Sequence, residues 1–191
     1  MTKNETYLVT PSLLNSWLYI YQTQEEEYTK EAYESFLKTL KREPVEPNEF
    51  MLRGIEFEDE CVAGNVEKVS PIIENGCFQV VGTKIITVNN VNFLMYGRLD
   101  VLKQGIIYDI KRVNKYERPK YSWSCQHQFY LELIPQAKYF EYLAYDNYDN
   151  LHTERYFYNE DKKIENIIRE FMRFLQKNNL IKIYYENWRS K

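Results

Sequence analysis

Helical periodicity runs through the first third of the chain. Apolar residues recur every three or four positions over residues 14–21, after Thr10, which suits a helix N-cap. A second amphipathic run covers residues 33–40 and is followed by two prolines. Asn48 can then begin a third helix. We therefore predict a group of N-terminal helices over residues 10–64.

The pattern changes to strand-like composition in the middle of the chain. Residues 78–88, 92–103 and 105–113 are rich in β-branched and aromatic side chains. Gln104 and Gly105 lie between the last two segments and fit a two-residue hairpin turn. If this turn holds, paired positions on the two strands sum to 209.

Further elements follow this hairpin. Residues 138–145 and 151–158 predict a final strand pair, separated by a loop rich in Asp and Asn. The apolar stripe of a last helix lies within residues 161–179, and residues 182–191 either dock or fray. Predicted helices before and after a group of strands in the sequence indicate an α/β domain.

The predicted hairpin register brings charged residues together on one face. Asp100 faces Asp109, and Arg98 faces Lys111. Directly opposed residues have Cβ atoms ~4.5–5.5 Å apart, and like charges at this distance are destabilising. A bound cation would offset the repulsion, and so would a shared proton or a different loop that separates the aspartates. The other, apolar face consists of Leu99, Val101, Tyr108 and Ile110.

Of these three explanations for the two opposed aspartates, a divalent cation is the most specific. Mg²⁺ or Mn²⁺ prefers hard oxygen ligands, and carboxylates on adjacent strands can supply two of them. Lys111 follows Asp109 by two residues and therefore shares its face of the strand. There it could orient or help to deprotonate an attacking water, or neutralise negative charge on a phosphate.

These residues resemble the motif of a known enzyme superfamily. Asp100 followed by Asp109-Ile110-Lys111 is similar to the motif of PD-(D/E)XK nucleases. Residues 126–130 resemble the QxxxY motif of RecB-like and lambda-exonuclease-like members, and residues 53–59 resemble the helical element that precedes the catalytic strands. The three elements occur in the order found in this superfamily.

The resemblance implies a restriction-endonuclease-like fold, in which helices flank a central mixed β-sheet. It implies one nuclease domain over residues 1–191, with a catalytic core over 76–160 and a C-terminal helix over 161–179. The metal ligands it implies are Glu58, Asp100, Asp109 and the Ile110 carbonyl. The catalytic residues it implies are Asp100, Asp109 and Lys111, with Gln126 and Tyr130 positioning DNA.

Two of these assignments have plain structural alternatives. Glu58 is one of several acids on its helix, and a solvated carboxylate would explain it equally. On the helical pattern, however, it borders the apolar stripe, whereas Glu56 points away. Tyr130 could likewise be a core residue beside Phe129 and Leu133.

A basic segment follows the second strand of the hairpin. Five basic residues and one acid occur within ten positions: Lys111, Arg112, Lys115, Glu117, Arg118 and Lys120. Phosphate is the natural partner of such a patch, although an ordinary solvated loop has a similar composition. We expect Arg98, Arg112 and Lys115 to contact the DNA backbone.

Composition limits the remaining possibilities. No apolar run approaches the ~18 residues that span a bilayer, and residues 1–5 lack the pattern of a signal peptide, so we expect no membrane partner and a cytoplasmic location in a bacterium or phage-infected host. The net charge of −3 requires any nucleic-acid affinity to be local. Three scattered cysteines make an iron–sulfur cluster improbable.

The sequence thus predicts a Mg²⁺-dependent deoxyribonuclease, with Mn²⁺ as a substitute. An exonuclease of recombination, repair or phage DNA metabolism fits the resemblance best, and the resemblance also implies assembly as a homo-oligomer or with a recombination or helicase partner. Three alternatives stay open: a structure- or sequence-specific endonuclease, a catalytically silent nucleic-acid-binding module, and a regulatory protein that uses its tyrosine-rich surface.

Overall fold

The computed structural model describes residues 5–23 and 25–190. Its strands are β1 (Thr6–Val9), β2 (Cys77–Val88), β3 (Val91–Lys103), β4 (Ile106–Arg112), β5 (Tyr139–Tyr145) and β6 (Leu151–Tyr156). Its helices are α1 (Pro11–Tyr19), α2 (Glu26–Leu40), α3 (Glu49–Val62), α4 (Ser70–Ile73), α5 (Gln126–Leu133), α6 (Ile164–Lys177) and α7 (Ile181–Asn187).

The described strands form one mixed sheet with helices packed around it. Its order is β1-β3-β4-β5-β6, and β2 pairs with β3. The pairs β1–β3 and β4–β5 are parallel, whereas β2–β3, β3–β4 and β5–β6 are antiparallel. The predicted α/β fold with a central mixed sheet is therefore confirmed.

The register of the central hairpin is confirmed next to its turn, whereas the predicted Asp100–Asp109 and Arg98–Lys111 pairs lie beyond the end of the ladder and are not formed. Lys103 pairs with Ile106 and Val101 with Tyr108, so paired positions sum to 209. Gln104 and Gly105 have φ values of 53° and 79°. Two consecutive residues with positive φ give the turn a twist that matches the strands on either side.

Two predicted helix starts are also correct. The Thr10 hydroxyl accepts a hydrogen bond from the Leu13 amide at 3.2 Å, and the Asn48 side chain accepts one from the Met51 amide at 2.9 Å. These side chains satisfy amide groups that have no carbonyl partner in the first turn of a helix.

Other boundaries differ from the predictions. The sequence pattern did not indicate β1 or α4, and α2 begins at Glu26 rather than near residue 33. The last strand ends at Tyr156, and a short 3₁₀ turn precedes α6. The prediction that the chain lacks a signal peptide rests largely on residues 1–4, which lie outside the described part of the chain. The extent of a single domain over 1–191 stays a prediction.

The C-terminal segment docks onto the N-terminal elements. The Trp188 indole donates a hydrogen bond to the Leu40 carbonyl at 2.8 Å, and the Tyr184 hydroxyl donates one to the Leu8 carbonyl at 2.9 Å. Both side chains are buried. Within residues 5–23 and 25–190, no helix is both long and apolar enough to cross a membrane.

Two strands, β1 and β4, pair with different parts of the same edge of β3. β2 covers the other edge of β3 along most of its length. On the shared edge, Asn92–Met95 pair with β1 and Val101–Lys103 pair with β4. The segment between these two ladders, which includes Gly97 and Arg98, is covered by α5. The parting of β3 from β4 places the end of their ladder beside Asp100.

Gly97 allows this close contact between the strand and α5. A Cβ atom at residue 97 would lie 2.4 Å from Cε1 of Tyr130. We expect Gly97→Ala to lower the free energy of unfolding by about 1–3 kcal/mol, because the buried ring must move. Urea unfolding followed by circular dichroism measures the change.

Gly54 on α3 provides the matched control. A Cβ atom there has no neighbour within 4 Å. Because glycine is unfavourable inside a helix, Gly54→Ala should raise stability by roughly 0.5–1 kcal/mol. Equal effects of the two substitutions would contradict the packing role of Gly97.

Candidate active site

Asp109 is the most buried acid of the hairpin, with 1% of its surface exposed. Its Oδ1 accepts a hydrogen bond from Nε2 of Gln126 at 2.5 Å, and its Oδ2 lies 2.5 Å from Nζ of Lys111. The Lys111 side chain keeps 34% of its surface exposed. The strand period therefore places the lysine beside the aspartate, with its ammonium group between the buried acid and solvent.

The carboxylate of Asp100 is hydrogen-bonded to β4, the strand that carries Asp109. The β3–β4 ladder stops at the Val101–Tyr108 pair, so Asp100 and Asp109 do not continue it. Instead, Oδ2 of Asp100 accepts a hydrogen bond from the Ile110 amide at 3.0 Å. A side chain thus replaces the missing backbone partner, and the Asp100 carboxylate lies against the strand that carries Asp109.

The charges in this cluster act strongly on one another. Burial raises the pKa of Asp109 to about 7, the Lys111 ammonium opposes this shift, and the negative charges of Asp100 and Glu58 add to it. Burial alone would lower the pKa of Lys111, but Asp109 and Asp100 raise it further, so the net shift is upward. The lysine is therefore a firm cation beside an acid that is reluctant to ionise.

Glu58 lies near the cluster but outside its hydrogen bonds. It is half-buried on α3, and its Oε1 accepts a hydrogen bond from Nε2 of Gln79 at 2.5 Å. Burial and the charge of Asp100 raise its pKa. Among the described residues, no three His, Cys, Asp or Glu side chains converge closely enough to hold a metal ion. The structure thus brings Asp100 and Asp109 together, while Glu58 is engaged with Gln79.

The two residues of the predicted QxxxY motif contact β4 and β3. Gln126 bonds to Asp109, as described above, while the Tyr130 hydroxyl donates to the Arg98 carbonyl at 2.9 Å. Tyr130 is only 6% exposed, and its ring packs on Gly97. Tyr130 therefore stabilises β3 from the protein interior. Direct contact of either side chain with DNA stays a prediction.

The basic residues near the site differ in their surroundings. Arg98 is exposed on β3. It lies close enough to Glu58 for its positive charge to oppose the upward shift of the Glu58 pKa. Lys115 is exposed and pairs with Glu117 at 2.6 Å. Arg112 donates to the Asp146 carbonyl at 3.0 Å and lies 5.2 Å from the ring centres of both Phe57 and Tyr145. Arg112 is thus the most constrained of the three.

Comparison with known proteins adds the identity of the fold. No family model matches this sequence, and no curated protein matches it in sequence. The solved structure of an alkaline exonuclease (LHK-Exo) from Laribacter hongkongensis superposes with a TM-score of 0.55 at 17% identity, covering 93% of this chain and 90% of that one. The protein SSO0001 superposes with a TM-score of 0.59 at 16% identity, covering 91% and 79% of the two chains. This chain has the restriction-endonuclease-like fold.

Within this fold, a buried glutamate anchors the basic segment that follows β4. Glu154 on β6 is 3% exposed. Its carboxylate accepts hydrogen bonds from the Tyr116 hydroxyl at 2.7 Å, the Lys120 amide at 2.6 Å, the Tyr121 amide at 3.2 Å and the Tyr156 hydroxyl at 2.5 Å. Sequence reasoning missed Glu154, because nothing local distinguishes it from an ordinary polar position on a strand.

The anchored segment brings a further aromatic residue over the site. The Tyr121 ring stacks on Tyr142 at a centroid distance of 4.3 Å, and Tyr142 is the β5 partner of Asp109. Lys111 lowers the pKa of Tyr121, although burial raises it more strongly. Tyr121 therefore lies close to Asp109 and Lys111, and its place among many tyrosines hid it from sequence reasoning.

Gln79 is a third residue that the sequence did not reveal. It lies on β2 between Phe78, which pairs with Val101, and Val80, which pairs with Leu99, so it stands opposite Asp100. Its φ is 53°, in the left-handed region that residues with side chains rarely adopt. Such strain is often found at functional sites, and here it accompanies the hydrogen bond to Glu58.

Proposed function

We propose that this protein is a metal-dependent deoxyribonuclease, and that it acts as an exonuclease. The observation that carries the proposal is the contact of Asp109 with both Lys111 and Gln126, beside Asp100. The similarity to the solved structure of an alkaline exonuclease supports it, and so does the similarity to that exonuclease in complex with dAMP, at 18% identity and a TM-score of 0.54.

The residues at the site fit Mg²⁺ chemically. Asp100, Asp109 and the Ile110 carbonyl offer hard oxygen atoms, and Glu58 would add a carboxylate once it is free of Gln79. Burial and the negative charge of Asp100 raise the pKa values of Glu58 and Asp109, so additional positive charge would favour their ionised forms. A bound Mg²⁺ would supply that charge and polarise a phosphate oxygen and a water molecule.

The residues of the chain have distinct tasks in this proposal. The cationic Lys111 holds the attacking water or neutralises charge on the phosphate as a P–O bond of the DNA breaks. Gln126 holds Asp109 in place and keeps one of its oxygens bonded. Arg98 and Lys115, both exposed, bind the phosphates of the strand that enters the site.

A cleavage assay tests this proposal directly. The substrates are labelled linear and circular DNA, each single- and double-stranded, with Mg²⁺, Mn²⁺ or EDTA. We expect loss of linear DNA with either metal, no cleavage in EDTA, and intact circles. Recovery of activity when Mg²⁺ is restored after EDTA treatment would show that the metal acts in the reaction rather than in folding.

The other outcomes of the assay are equally informative. Cutting of closed circles would replace the exonuclease with an endonuclease that uses the same site. Cleavage in EDTA would exclude the metal mechanism. Binding of DNA without cleavage under every condition would overturn the enzymatic proposal and favour a silent binding module.

A further inference from the structure

The backbone of Gln79 is unusual for its place in the fold. Within residues 5–23 and 25–190, the other non-glycine residues with positive φ lie in turns or just after a helix, whereas Gln79 lies inside a strand. Its φ of 53° is costly for a residue with a Cβ atom, and such a conformation persists only where the surrounding contacts hold it. The contacts of Gln79 therefore have to offset this cost.

The regular pairing of β3 is interrupted at the same point. β2 pairs with β3 on either side of this position, at Phe78 and at Val80, but Gln79 does not pair with Asp100. The β3–β4 ladder ends at Val101, one residue beyond Asp100. In the described ladders, Asp100 thus lacks a partner on both neighbouring strands. The irregular backbone of Gln79 lies directly across from a predicted metal ligand.

The side chain of Gln79 contacts a second predicted ligand. Its Nε2 donates a hydrogen bond to Oε1 of Glu58 at 2.5 Å. Gln79 is exposed, whereas Glu58 is half-buried on α3. In this arrangement, Glu58 does not converge with Asp100 and Asp109 closely enough for three acids of the described chain to hold a metal ion. Gln79 therefore bonds to the one predicted carboxylate ligand that is separate from the other two.

The charges around Glu58 explain why it keeps an uncharged partner. Burial and then the negative charge of Asp100 raise the pKa of Glu58, while Lys111 and Arg98 oppose this shift. The ammonium of Lys111 already lies 2.5 Å from Asp109. Because like charges repel, Glu58 has no reason to approach the two aspartates until further positive charge is present.

We propose that Gln79 holds Glu58 away from Asp100 and Asp109 in the metal-free protein and releases it when a divalent cation binds. Glu58 then exchanges the amide of Gln79 for the cation and becomes the third carboxylate of the cluster. Gln79 is thus a positioning residue, and its bond to Glu58 lowers the affinity of the site for metal. This inference rests on the metal dependence in the proposed function.

Mn²⁺ binding in the absence of DNA tests the inference, and the electron paramagnetic resonance signal of free Mn²⁺ measures it. Gln79→Met keeps the length of the side chain and removes the donor, whereas Gln79→Gly removes the donor and suits a positive φ. We expect both variants to bind Mn²⁺ about three- to tenfold more tightly than the wild type, because one competing hydrogen bond is gone. Gln79→Gly keeps the test valid if Gln79→Met fails to fold.

A double substitution shows whether the effect passes through Glu58. Glu58→Gln should bind Mn²⁺ about tenfold more weakly than the wild type, because the site loses one carboxylate. Adding Gln79→Met to Glu58→Gln should change the affinity less than about twofold, since the released residue is no longer a carboxylate ligand. The matched control is Gln176→Met, an exposed glutamine on α6, which should bind Mn²⁺ as the wild type does.

Unchanged or weaker Mn²⁺ binding in both Gln79 variants would overturn the inference, and so would an undiminished gain in the Glu58→Gln background. Absence of Mn²⁺ binding in every protein would overturn both this inference and the metal dependence of the proposed function. Unchanged binding in the Gln79 variants together with metal-dependent DNA cleavage would reject the inference alone. Tighter binding in these variants without cleavage by any of the proteins would reject the proposed function alone.

Discussion

Replacing Lys111 by methionine or Asp109 by asparagine is expected to reduce DNA cleavage by about 10³-fold or more. The ammonium of Lys111 and the carboxylate of Asp109 are 2.5 Å apart, and each depends on the other for its charge balance. Loss of a group that acts in proton transfer or in electrostatic stabilisation typically costs ~10²–10⁴ in rate. Single-turnover cleavage of labelled linear DNA with Mg²⁺ measures the loss.

The pH dependence of stability should distinguish Asp109→Asn from the wild type. The pKa of Asp109 rises from its usual 3.8 to about 7 in the folded protein. An acid with a raised pKa destabilises the fold as pH increases through this interval, because the unfolded chain ionises more readily. The neutral amide removes this pH-dependent effect but keeps only one of the two acceptor oxygens, so we expect the stability of Asp109→Asn relative to the wild type to rise as pH increases from about 4 to about 7. Urea unfolding across this interval measures the change.

Two exposed positions serve as controls for this pair. Asp59→Asn changes an exposed acid on α3, and Lys177→Met changes an exposed lysine near the end of α6. Both should cleave DNA at the wild-type rate. Full activity of Lys111→Met or Asp109→Asn would exclude the mechanism proposed for this site.

The hairpin could be predicted in detail because its rules are local. A two-residue turn and the strand period together determine which residues face each other, and the observed pairs of Val101 and Lys103 follow that register. The same period put Lys111 beside Asp109. The bond from the Ile110 amide to Asp100 could not be predicted, because it depends on where the two strands part.

Contacts between distant segments were beyond sequence reasoning. β1 has four residues and is held by pairing with Asn92–Met95, so its own pattern carried little signal. From the sequence, Tyr130 could either contact DNA or belong to the core. Only the structure reveals that its hydroxyl donates a hydrogen bond to the Arg98 carbonyl. The partners of Glu154 lie more than thirty positions earlier in the chain, except for Tyr156.

Glu154→Gln is expected to lower the free energy of unfolding by about 2–3 kcal/mol, since several donors meet a carboxylate that an amide replaces only in part. We also expect cleavage to fall by about 10- to 100-fold, because the segment that carries Tyr121 loses its anchor near Asp109 and Lys111. Urea unfolding and single-turnover cleavage, measured on the same preparations, separate the two effects.

The pH dependence of this loss gives a second signature. Burial alone would raise the pKa of Glu154, but the hydrogen bonds from Tyr156, Tyr116 and the backbone lower it overall. An acid with a lowered pKa contributes stability above its usual pKa of 4.5, and this stability is lost as pH falls. The difference in unfolding free energy between the wild type and Glu154→Gln should therefore shrink as pH falls below 4.5.

Glu141→Gln is the matched control, since Glu141 is also a buried sheet carboxylate but pairs with Arg155, which is half-exposed. Because solvent weakens that ion pair, the substitution should cost no more than about 1 kcal/mol. It lies outside the anchored segment and should leave cleavage unchanged. Equal losses of activity in both variants would mean that the sheet itself, rather than the anchored segment, supports the site.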